Sequence, residues 1–315
     1  MDRDDSLDYV KGCCVVSFLL TSFFCWFLGL SRFDIWQPLW GSWYTPLFLF
    51  ITCWIVFDKY EKSAAGGLPL GSPAARSYFS FFKLRFKSAF GRIYSRFIFV
   101  VFLIYFISLL LGMKPLTLSV FLLVNGGWGP DSWFPYVHFQ FLCFLPLFLY
   151  ITSRWRLFPY VCFGLSFILD GLLFWLFPSY SAFHHYSFLR YLAIPSIAWF
   201  FYHNSSSQSF RVFSLILGLL SFILLFFANY SSSYIPILFG DGNFLGSSSI
   251  FYFYPIFILF PFFRWLYRLN PNSYSANFLV SFGRCSWGIS LFFMFLFYFL
   301  VFFRWLEISP NLFSY

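Results

Sequence analysis

Asp170 stands alone in the apolar run GLSFILDGLLFWLF, where a charged side chain needs a reason to be. A carboxyl at the centre of a bilayer costs about 2.5–3.5 kcal/mol on insertion scales, so it must face protein, be paired or be protonated. Two roles fit: a carboxylate that handles protons or binds substrate, or half of a structural pair with an Arg or Tyr of a neighbouring helix. His138 opens a second apolar run, VHFQFLCFLPLFLY, behind Asp131 and Trp133. A neutral imidazole there can shuttle protons near pH 7; a satisfied interfacial histidine reads the same way. In the stretch 77–97, SYFSFFKLRFKSAFGRIYSRF, Phe82, Phe86, Phe90, Tyr94 and Phe97 recur at spacings of four and three, with Lys83, Arg85, Lys87, Arg92 and Arg96 between them. That pattern is a basic amphipathic helix. It suits anionic lipid headgroups, and it also suits a cationic mouth for a phosphorylated cytoplasmic substrate such as coenzyme A.

Other chemistries find less support. The seven cysteines (13, 14, 25, 53, 143, 162 and 285) lie in apolar stretches, are odd in number and form no CxxC or Cys/His metal spacing. They read as buried thiols behaving as small hydrophobes, and no metal is expected. Trp36, Trp40, Trp43, Trp128, Trp133, Tyr136, Tyr180 and Tyr186 form an aromatic set that suits an interfacial belt or the stacking of sugar rings. His184 and His185 read as solvated loop residues.

These residues need elements to hold them, and the composition says which. The chain of 315 residues is 60% hydrophobic and 10% charged, with 55 Phe, too few charges to cover a water-facing surface. A span needs about 20 mostly apolar residues. Such runs occur near 12–30, 42–58, 94–113, 136–152, 157–178, 187–202, 210–228, 248–267 and 280–303. The piece 116–124 is too short to cross and is expected at the interface; counting it makes ten. The expected fold is all-α, a polytopic transmembrane bundle of about nine to ten spans in a single domain covering 1–315. The Gly/Ala/Pro/Ser-rich 61–76 is expected to be a flexible cytoplasmic loop.

Basic residues orient the bundle. With 59–96 inside, only Arg32, Lys114, Arg190 and Arg304 of the 20 Lys and Arg fall outside. The N-terminus is therefore expected in the cytoplasm and the C-terminus outside. The net charge of +9 is a topology signal, not a sign of nucleic acid. Asp2, Asp4, Asp5 and Asp8 stand where a signal peptide would be basic, so the first span is expected to stay in a cell membrane.

Four separated pieces, SLDYVKGCCVVSFLL (6–20), WYTPLFLFITCWIVF (43–57), FFKLRFKSAFGRIYSRF (81–97) and HFQFLCFLPLFLY (138–150), together resemble the membrane-bound acyltransferase 3 family. A weaker echo is FGRCSWGISLFF at 282–293. Members of that family O-acetylate or otherwise acylate surface carbohydrates. The resemblance implies acyl-CoA, most simply acetyl-CoA, as donor substrate with no bound cofactor, and a hydroxyl of an extracytoplasmic or lipid-linked glycan as acceptor. It implies Lys11, with Arg85 and Arg92, as residues serving the anionic donor. The chain also departs from the family. Eleven positions beyond the basic residue, relatives carry a His thought to be catalytic; here Ser22 stands there. Gln140 replaces a usual Trp, and Phe293 stands where many relatives have His. Eleven helical residues rise about 16 Å, so Lys11 at the foot puts Ser22 near mid-membrane. A hydroxyl needs an activating partner, and His138 or Asp170 could supply the base. The alternative is a non-catalytic member of the same scaffold, a carrier, flippase or assembly partner for envelope glycans, which the missing His favours.

Overall fold

The computed structural model describes residues 4–27, 43–65, 91, 95–110, 133–176, 188–230, 249–293 and 295–296. Every regular element among them is helical: α1 (Asp5–Phe27), α2 (Tyr44–Ala65), α3 (Ser95–Leu110), α4 (Trp133–Arg154), α5 (Phe158–Leu176), α6 (Ala193–Asn204), α7 (Gln208–Tyr230), α8 (Phe260–Leu269) and α9 (Tyr274–Arg284). Short 3-10 turns at Phe188–Tyr191 and Ser249–Tyr252 lead towards α6 and α8, and helical turns over 286–293 continue α9. Three stretches, Val137–Arg154, Gln208–Phe227 and Ser249–Leu269, are long and apolar enough to cross a membrane. The 116–124 piece, most of 61–76, and Arg85 and Arg92 lie outside the described residues. The first residues of the expected loop, Glu61–Ala65, instead extend α2, because EKSAA contains good helix formers and no breaker.

α2 is the hub. Leu47, Leu49, Phe50, Ile51, Cys53, Val56 and Phe57 are all buried, so the helix is apolar around most of its girth and takes neighbours on several sides. α1, α4, α6 and the turn at Pro255–Leu259 all pack on it. Phe57 meets Phe148 of α4 (ring centroids 6.1 Å) and Trp199 of α6 (6.0 Å). Tyr160 at the start of α5 meets Phe200 (4.7 Å), and Glu61 pairs with His203 at 3.3 Å. The ends of α2, α4 and α6 and the start of α5 are thus gathered at one end of the bundle.

α7 shows which solvent the outside suits. Val212, Phe213, Leu215, Ile216, Leu219, Leu220 and Ile223 are exposed, while Ser214, Gly218, Ser221 and Leu225, at spacings of four and three, face inward. Small and polar inside with bulky apolar outside inverts the pattern of a water-soluble helix and matches helix packing in lipid. Ser221 ties α7 to the next stretch, its Oγ donating to Ile250 O (2.9 Å) and accepting from Tyr254 N (3.2 Å). That stretch contains a π turn, in which Phe260 N donates to Pro255 O. Pro261 has no N–H to give Phe257, which favours the wider register.

The tightest joint links α1 to α9. A Cβ on Gly12 would overlap the Leu279 carbonyl, and one on Gly283 would overlap the Asp8 carbonyl. Arg284 then reaches Asp5 and Asp8. As numbers rise on α1 they fall on α9, so the two helices run antiparallel. This differs from reading 280–303 as a crossing in the direction of the first span: over 279–284 the glycine contact and the Arg284 pairs set the chain against α1. Arg264 adds a second tie, Nε donating to Ser6 Oγ (3.1 Å) and a terminal nitrogen to Asp4 (3.2 Å).

Candidate functional site

His138 lies on the inward stripe of α4, in line with Phe141, Leu145, Phe148 and Thr152, and is 5% exposed. Four residues from other helices surround it. Phe48 meets its ring edge-on at 5.4 Å between centroids, and Trp287 lies at 5.1 Å. Thr52, one turn after Phe48 on α2, puts Oγ1 3.3 Å from His138 Nε2 and 3.0 Å from Phe48 O. Lys11 of α1 holds its Nζ 5.7 Å from the centroid of the same Phe48 ring, within electrostatic reach of the imidazole. The threonine has one hydroxyl proton, and its shorter bond sends that proton to the Phe48 carbonyl. Oγ1 then accepts from Nε2–H, which assigns the Nε2–H tautomer and makes Nδ1 the ring's proton acceptor. Chemically, this is an imidazole of defined tautomer with a cation held one aromatic ring away.

Asp170 belongs to a different set of contacts. Its Oδ2 accepts from Ser249 N at 2.8 Å, capping the 3-10 turn that begins there. Ser249 Oγ lies 2.7 Å from Ser166 Oγ, which donates to Arg190 O at 3.3 Å. Tyr252 OH donates to that same carbonyl at 3.1 Å, and its ring stacks on Tyr191 at 5.8 Å. Arg190, which the charge count put outside, is only 7% exposed and within electrostatic reach of Asp170. α5 and both 3-10 turns are therefore fastened by one buried polar network. Asp170 joins that network through the backbone N–H of Ser249.

Of the residues singled out in the sequence, Lys11 and His138 come together, and Asp170 is engaged elsewhere. Ser22 lies on the backbone of α1, its side chain outside the described residues, as are Arg85 and Arg92. Gln140 has a positional role: its Oε1 accepts from Phe188 N at 3.0 Å, holding the 3-10 turn before α6. Cys14, Cys53 and Cys162 are buried as expected of small hydrophobes, whereas Cys285 is exposed. No group of His, Cys, Asp and Glu among the described residues could hold a metal. Sequence reasoning missed Phe48, Thr52 and Trp287. The available signal was that all three sit inside resembling pieces, Phe48 and Thr52 in 43–57 and Trp287 in 282–293.

No protein-family model, curated protein or solved structure matches this chain.

Proposed function

We propose that this chain is an integral membrane O-acyltransferase that moves an acyl group, acetyl in the simplest case, from acyl-CoA to a hydroxyl of an extracytoplasmic or lipid-linked glycan. The observation that carries the reading is the meeting of Lys11 and His138 at the Phe48 ring. In the reaction, His138 takes the proton from the acceptor hydroxyl as its oxygen attacks the thioester carbonyl. The C–S bond breaks, the new ester leaves with the acyl group, and the coenzyme A thiolate takes up the proton. Lys11 serves the anionic donor, with Arg85 and Arg92 on the cytoplasmic side. The protein is a multi-pass bundle in a cell membrane with its N-terminus in the cytoplasm. The helix ends that carry Arg154, Arg156 and Arg211 gather at one end of the bundle, which supports that end as the cytoplasmic one. A second reading, a non-catalytic glycan carrier or assembly partner, is favoured by Ser22 standing where the resembling family has a His.

The test is the O-acetyl content of the source cell's surface polysaccharide, by proton NMR before and after mild alkali. A deletion strain is compared with strains carrying the natural gene, Lys11→Ala or His138→Gln. Acetyl signals lost on deletion and restored by the natural gene alone support acyl transfer through both residues. Full restoration by His138→Gln would refute it as a base, and a pattern that deletion leaves unchanged moves the weight to the non-catalytic reading.

A further inference from the structure

We infer that Trp287 is a positioning residue for His138, helping to fix the plane of the imidazole that Thr52 holds at Nε2. The inference deepens the acyltransferase reading and rests on it for its activity readout. A hydrogen bond at Nε2 fixes where that nitrogen lies and does not by itself set the plane of the ring. Two aromatic rings bear on that plane. Phe48 meets the imidazole at 80° and Trp287 at 47°, from different helices, with centroids at 5.4 and 5.1 Å. Phe48 also carries the Lys11 contact, so its position is tied to the donor side. Trp287 is tied to the same frame by another path. It lies one helical turn beyond Gly283, whose backbone rests on Asp8 and Gly12, and Gly12 follows Lys11 in sequence. Backbone-to-backbone contact leaves little give, so the segment 279–287 links the α1 backbone next to Lys11 with the ring that bears on the imidazole.

The test uses the full chain in lipid nanodiscs, as Trp287→Ala and Trp287→Phe. For Trp287→Ala, kcat with acetyl-CoA and acceptor should fall about 10- to 100-fold while the KM for acetyl-CoA stays within about twofold, as for a misplaced catalytic group. Trp287→Phe, which keeps a ring, should recover most of it. A second readout is the nitrogen spectrum of ¹⁵N-labelled histidine. The chain has four histidines, and His138 is assigned by its loss in His138→Gln. The native protein should show one sharp Nε2–H signal pair for His138, and Trp287→Ala the same tautomer with its signals broadened as the ring reorients about the Thr52 bond. Either readout unchanged in Trp287→Ala overturns the inference. If Trp287→Ala does not fold, Trp287→Leu, which keeps much of the volume without a ring, is read the same way. Full activity in His138→Gln would sink the acyl-transfer reading instead, and the sharpness of the His138 nitrogen signals alone would then decide this one.

Discussion

Replacing Gly283 by Ala should part the two helices that hold Lys11 in place. The added Cβ would overlap the Asp8 carbonyl, which is backbone and cannot swing aside, so the α1 and α9 axes must separate. Overpacking of this kind costs typically about 1–3 kcal/mol, and a hard backbone obstacle argues for the upper part of that range. The gain in helix propensity from Gly to Ala offsets about 1 kcal/mol. The net expectation is a loss of about 2 kcal/mol. Gly12→Ala, which meets the Leu279 carbonyl, should cost a similar amount. One separation relieves both clashes, so the double variant should lose clearly less than the sum. Gly164 and Gly288 have open space where a Cβ would go, so Gly164→Ala and Gly288→Ala should be neutral or stabilising by up to about 1 kcal/mol. The assay is equilibrium unfolding in mixed micelles of SDS and a mild detergent. Gly283→Ala as stable as the native protein, or grouping with the Gly164 and Gly288 controls, would refute the close-contact reasoning.

The other expectations can be taken together. Asp170→Asn keeps an acceptor for Ser249 N and should leave unfolding stability and acyl transfer within about threefold of native. Asp170→Ala strands that buried N–H and should cost about 1–3 kcal/mol in the same unfolding assay. Full loss of transfer in a well-folded Asp170→Asn would return Asp170 to the chemistry. Lys11→Gln should raise the KM for acyl-CoA about tenfold, the worth of about 1.4 kcal/mol of ionic contact, with Lys11→Arg close to native in steady-state kinetics. In a background without cysteine, Arg156→Cys and Ser206→Cys should react with an impermeant thiol reagent from the same side, the cytoplasmic one; labelling from opposite sides would break the proposed orientation.

The helices were legible because long apolar runs bounded by charged and turn-forming residues leave the backbone little choice in lipid. The turns at 154–157 and 204–207 fall where the hydropathy breaks. His138 drew notice for the same reason Asp170 did, as a polar group at the edge of or inside such a run. What the sequence did not disclose is which of these polar groups meet. A run of Phe matches any other run of Phe, so nothing in α2 marks Phe48 as the ring shared by Lys11 and His138. The Gly12–Gly283 contact has no period to betray it, since the two glycines lie on opposite arms of the chain. Arg190 looked like an outside charge because charge counting places a residue on a side of the membrane and says nothing of its depth. Only once Ser166, Ser249 and Tyr252 are brought to its segment does its burial make sense.

The clasp between α1 and α9 also has a consequence in time. Asp5 and Arg284 are 279 residues apart, and a ribosome adds about 5–20 residues per second. The first helix therefore waits roughly a quarter of a minute to a minute before the helix that grips it is made. Through that interval Gly12 presents a bare groove, and Asp5 and Asp8 lack the arginine that will answer them. Whatever shelters α1 in the nascent protein must release it late, and a chain cut short anywhere before 274 would leave that groove open as a standing mark of incomplete assembly.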